Sequence, residues 1–164
     1  MARFMLLVFG LACVGCAPPT NGQPTTTTKK PTTSTSTVEL VKDLPNLEPL
    51  EIIGCDFKKT VTELPSDLPS PSDTRIQIVG WIQLSEPRLK ALKSQDTWTP
   101  IAREKVPHEL KQILPESTWL ESAKMNTRFN RNPRMAHGLL IIPKDAKDNK
   151  VYILAQDLDH PIGK

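Results

Sequence analysis

Arg75-Ile76-Gln77-Ile78-Val79-Gly80-Trp81-Ile82-Gln83-Leu84 is the stretch on which the fold class turns. Ile76, Ile78, Gly80, Ile82 and Leu84 alternate with Gln77, Val79, Trp81 and Gln83. Successive side chains of a strand point to opposite faces, so this alternation predicts a strand with one apolar face and one mixed face. Downstream, Ser85-Glu86-Pro87 has the form of a helix start, and Leu89 and Leu92 would share its inner face. Such a helix has only about two turns and needs a partner to stay folded. Near the end of the chain, Gly138–Ile142 and Val151–Ala155 are apolar runs flanking a charged turn. They predict a β-hairpin.

Between these landmarks proline breaks the chain into short elements. Trp98–Ile101 reads as a loop or a short edge strand. Pro107 opens a second short helix, with Leu110, Ile113 and Leu114 on one face and Pro115 closing it. Thr118 and Glu121 have capping-box spacing, which predicts a third helical segment over Trp119–Met125. Asn126–Arg134 is polar and reads as a long loop or an edge strand. Upstream, Val38–Leu44 suits a strand or a short helix, Leu50–Phe57 a strand, and Lys59–Leu64 a second strand-like run. Gly54 marks a bulge or a close backbone approach. Residues 65–73 hold three prolines and form a loop. The sum is one α+β domain over residues 38–164. It has a small, mostly antiparallel sheet of four or five strands, with two or three short helices on one face.

The first 37 residues have a different composition. Met1-Ala2-Arg3 precedes an apolar run from Phe4 to Val14, then Gly15-Cys16-Ala17. This is the pattern of a secretory signal peptide over residues 1–15. The run falls well short of the roughly 20 residues that span a bilayer. Leu11–Ala17 resembles a bacterial lipoprotein export signal, in which a small residue, here Gly15, precedes an acceptor cysteine, here Cys16. The resemblance implies lipidation at Cys16 and a lipid anchor in a cell-envelope membrane. Conventional cleavage after Ala17 is the alternative: it would use Gly15 and Ala17, leave Pro18 next, and release a secreted protein.

Residues 16–37 are rich in Thr, Pro and Ser, and after Cys16 they contain no Leu, Ile, Val or aromatic residue. A tract of this kind buries too little apolar surface to offset chain entropy, and reads as a disordered tether. A mucin-like stalk is the competing reading of the same composition. The formal charge of +3 comes from Arg3, Lys29 and Lys30, with no acid before Val38, so residues 38–164 are neutral. The basic pI is therefore no nucleic-acid signature.

Few residues suggest chemistry. His108, His137 and His160 are too widely spaced for a compact metal motif. Asp157, Asp159 and His160 form a polar turn that has the residue types of an acid–base cluster. Cys55, the one cysteine of the domain, reads as a small buried apolar residue. Arg128, Arg131 and Arg134 stand at three-residue steps among asparagines and Phe129, and Ser122–Pro143 carries no acid. Guanidinium groups recognise carboxylates and phosphates in a bidentate manner. These three arginines are the candidate contacts for an envelope protein or an anionic polymer. The competing expectation pairs them with the eight acids of Glu39–Asp73. No cofactor and no nucleic acid is expected. The sequence thus points to an exported, tethered, non-enzymatic domain that presents a binding or assembly surface, the alternative being a small secreted enzyme or enzyme inhibitor.

Overall fold

The computed structural model describes residues 26–63, 74–130, 137–145 and 148–156. The alternating stretch is strand β4 (Thr74–Gln83). Ile78, Ile82 and Leu84 are buried on one face, while Gln77, Val79, Trp81 and Gln83 are half-buried on the other. β4 pairs with β3 (Gly54–Glu63) along its whole length, from Gly54↔Gln83 to Glu63↔Thr74. Gly80 lies opposite Phe57, and a Cβ there would come within 2.6 Å of the Phe57 Cα, so only glycine allows this approach.

The expected C-terminal hairpin is present as β7 (His137–Pro143) and β8 (Lys150–Gln156). β8 also pairs with β4, from Gln77↔Gln156 to Gln83↔Lys150. The sheet continues through β6 (Trp119–Glu121) to β5 (Thr99–Pro100) at the far edge. At the other edge, β1 (Thr27–Thr28) and β2 (Thr32–Ser34) both pair with β3. Among the described residues the sheet therefore has eight strands rather than four or five, in the order β1-β3-β4-β8-β7-β6-β5 with β2 beside β3.

The tether expected over residues 16–37 differs from what is seen. Its first part, including Cys16, lies outside the described residues, but Thr27–Ser34 is docked on the sheet. Composition argues only against core burial. An edge strand needs backbone groups and tolerates β-branched Thr, and the Thr side chains here are exposed. Ser36 then caps α1 (Thr37–Asp43), accepting from the Glu39 N–H at 3.3 Å. Ser36-x-x-Glu39 is itself a capping-box sequence. The Glu39 carboxylate instead accepts from Ser34 Oγ at 2.6 Å, and Ser34 Oγ in turn accepts from the Ser36 N–H at 3.2 Å.

A 3-10 helix (Pro45–Leu50) replaces the start of the strand expected over Leu50–Phe57, and Glu51 follows it with φ of 53°. α2 (Glu86–Gln95) buries Leu89 and Leu92 as expected. Pro107 caps α3 (His108–Lys111), which buries Leu110; Ile113, just past its end, is 39 % exposed rather than inward. The capping box expected at Thr118 and Glu121 is not formed. Trp119–Glu121 is strand β6, because its backbone completes the β7 ladder. Ser122 is the actual cap, accepting from the Met125 N–H at 3.2 Å, and α4 (Ala123–Phe129) follows.

The helices cover both faces, not one. Leu40, Leu47, Leu89, Leu92, Met125 and Phe129 pack on Ile78, Ile82, Leu140, Ile142, Val151 and Ile153. On the reverse face Val106, Leu110, Leu114 and Trp119 pack on Ile141, Tyr152 and Leu154. A strand buried on both faces has no alternation, and β8 is buried from Val151 to Ala155. No helix among the described residues is long and apolar enough to cross a membrane.

α4 is fastened to the sheet by two asparagines one turn apart. Asn126 Oδ1 accepts from the Leu140 N–H at 2.9 Å, and Asn130 Oδ1 accepts from the Gly138 N–H. These N–H groups lie beyond β6, which pairs only with Ile141, Ile142 and Pro143 of β7. The helix thus closes an otherwise open edge.

Ile78→Ala should cost about 2–5 kcal/mol in a urea melt. Gln77→Ala loses the 3.3 Å bond to Glu109 Oε1 and should cost about 0.5–1.5 kcal/mol. Equal losses would contradict the facing of β4. Asn126→Ala should cost about 1–3 kcal/mol by orphaning the Leu140 N–H. Amide exchange at Leu140 should accelerate more than at Ile153.

Candidate binding site between α2 and α4

The Pro45–Leu50 helix bridges α2 and α4. Asn46 Nδ2 donates to the carbonyl oxygen of Phe129 at 3.1 Å, at the C-terminal end of α4. From the other side, Arg88 of α2 donates to the carbonyl oxygen of Pro49, and its guanidinium stands 3.4 Å from Glu51 Oε1. Prolines at 45 and 49 keep this bridge from continuing α1 as an α-helix. Beneath it is a cavity of about 490 Å³. That is the size of a small-molecule site. Its apolar lining is Leu47, Leu50, Leu92, Met125, Phe129 and Leu140, while Asn46, Glu48, Arg88, Gln95 and Arg128 supply polar groups.

One unusual carboxylate sits beside Arg128, in a neighbouring depression that it lines with Thr97, Thr99, Ser122 and Lys124. Asp96, just past α2, has a fully buried side chain. Neither oxygen accepts a hydrogen bond from the described residues. Lys124 Nζ is 3.1 Å from Oδ1, and Arg128 Nη1 is 3.6 Å from Oδ2. Both cations are themselves substantially exposed. A buried carboxylate needs compensation by charge or hydrogen bonds. Here two cations one turn apart on α4 supply charge, with imperfect hydrogen-bond geometry.

Of the three arginines singled out in the sequence, Arg128 lies on α4 and lines the cavity. Arg131 and Arg134 lie outside the described residues, as do Asp157, Asp159 and His160. Arg128 faces Asp96, and among the described residues it pairs with no acid of Glu39–Glu63. His108 is exposed at the start of α3, where its ring lies 3.0 Å from Gln112 Nε2. Arg88, Asn46 and Asp96 carry no sequence signal, since 82 residues of chain separate Asn46 from Arg128. Among the described residues, no group of three His, Cys, Asp or Glu side chains is placed to hold a metal ion.

Cys55 is buried on β3, as expected. Burial, and secondarily the charge of Asp56, raises its thiol pKa. That is the wrong direction for a nucleophile, which needs the thiolate. Tyr152 is shifted upward likewise, by burial and then by Asp148.

No protein-family model, curated protein or solved structure matches this chain.

Both upward shifts tie stability to pH. The folded state holds protons that the unfolded chain releases, so the stabilising contribution is complete below the unfolded pKa and declines as pH rises. Unfolding free energy from urea melts should fall above about pH 8.5, the ordinary thiol value, and again near pH 10 for Tyr152. Cys55→Ala should flatten the first fall and leave the second.

Proposed function

We propose that this chain is an exported lipoprotein of the cell envelope, anchored through Cys16, whose domain acts as a non-enzymatic binding module. The observation that carries the binding role is the cavity between α2 and α4, with its apolar lining and with Arg88 and Arg128 among its polar groups. The leader over residues 1–15 and the Gly15-Cys16 junction support the location. Docking of β1 and β2 bears on how the anchor would hold the domain. Only residues 17–25 separate Cys16 from the described fold, so the span to Thr26 is at most about 35 Å. The domain would stand close to its membrane, with the β3 edge nearest the anchor in sequence. Release as a secreted protein is the second reading, supported by the small residues Gly15 and Ala17 at a conventional cleavage site.

Cys16→Ser should abolish incorporation of labelled fatty acid and move the protein from the detergent phase to the aqueous phase. Unchanged membrane association, with the same processed start, would sink the anchored reading.

A further inference from the structure

We infer that the cavity between α2 and α4 takes a single-chain amphiphile with one anionic head, a carboxylate or a phosphate monoester, and that Asp96 restrains its affinity. The inference rests on the cavity being a binding site and is independent of lipidation at Cys16. An apolar floor alone would fit any hydrocarbon. This floor, formed by Leu47, Leu92, Met125, Phe129 and Leu140, shares its cavity with two arginines, Arg88 from α2 and Arg128 from α4. A guanidinium carries five N–H donors and no acceptor, so it favours an anionic head over a neutral one. Among the described residues Glu48 is the one acid of the lining, and Arg88 is already engaged by the Pro49 carbonyl and Glu51, so the more loosely held Arg128 is the group that a head would meet.

Asp96 adds the second half of the inference. Its buried oxygens accept no hydrogen bond from the described residues, and Oδ2 stands 3.6 Å from Arg128 Nη1. That separation exceeds hydrogen-bond length, so Arg128 is held by charge without a closed fork. An anionic head in the cavity would compete with Asp96 for the same guanidinium. Removing the Asp96 charge should therefore favour the ligand, whereas removing the Arg128 charge should oppose it. A purely structural role for the pair does not produce this opposition of signs.

The experiment titrates dodecanoate, dodecyl phosphate and dodecanol, below their aggregation limits, into full-length protein carrying Cys16→Ser. With that substitution no attached acyl chain competes, and if the chain is never lipidated it changes nothing. One-to-one binding of dodecanoate or dodecyl phosphate is expected, with dodecanol about tenfold weaker, the effect of one charge-assisted hydrogen bond. The tighter of the two anions identifies the head group. Arg128→Gln should weaken the anion about tenfold, and Asp96→Asn should tighten it, both changing dodecanol binding by less than they change anion binding. Ala91→Phe, which places a ring at the cavity wall, should block all three probes. Equal binding of dodecanol and both anions would overturn the inference. So would weaker anion binding in Asp96→Asn protein that melts like the parent. Should Ala91→Phe fail to fold, the opposed effects at Arg128 and Asp96 still decide.

Discussion

The pairing of β4 with β8 is the constraint on which the rest of the structure depends. It joins the N-terminal strands β1 to β4 to the C-terminal meander β5 to β8. Both cores lie across this seam: Ile78 and Ile82 meet Val151, Ile153 and Ala155 on one side, while Val79 and Trp81 meet Tyr152 and Leu154 on the other. The seam brings together residues more than 60 positions apart in the chain, so it is costly in loop-closure entropy and is repaid by burial on both faces. Gly80 sits in the middle of the seam, paired with Phe57 on one side and Ile153 on the other. Its missing side chain lets β3 approach closely without disturbing the β8 register.

The candidate site is a consequence of how short helices are attached to that sheet. α2 and α4 are too short to be stable alone. Each is secured by contacts outside itself: Trp98 Nε1 donates to the Leu92 carbonyl at the end of α2, and Asn126 and Asn130 tie α4 to β7. Phe129 packs so tightly on Gly138 that a Cβ there would lie within 2.6 Å of its ring. The proline-bearing 3-10 helix spans from one helix to the other through Asn46 and Arg88, and the cavity is the space left below the span. Apolar walls come from core-facing positions of the helices, and the guanidiniums come from their outer edges.

Much of the strand content was legible in the sequence, for clear physical reasons. Period-two alternation exposed β4, and paired β-branched runs exposed β7 and β8. The Ser85-Glu86-Pro87 start announced α2. Other elements were misread where local signals competed with long-range pairing. Trp119–Glu121 has a capping-box spacing, yet its backbone closes the ladder beside β7. Thr27–Ser34 has the composition of a spacer, yet it pairs with β3 because edge pairing uses main-chain groups that every residue carries. Of the site, only Arg128 was visible beforehand. Asp96 and Asn46 look like ordinary polar residues until the fold places them beside α4.

The sequence alone determined the α+β class with an antiparallel sheet, that β4 has one apolar face, and that Cys55 is a core residue. These depend on local periodicity and side-chain character, which a linear chain displays. Tertiary structure alone decided the strand order, the coverage of both sheet faces, the meeting of Arg88 and Arg128 at one cavity, and the placing of Asp96 beside Arg128. Those depend on which distant backbone groups satisfy one another and on which buried surfaces fit together, and neither is written in any local stretch of the chain.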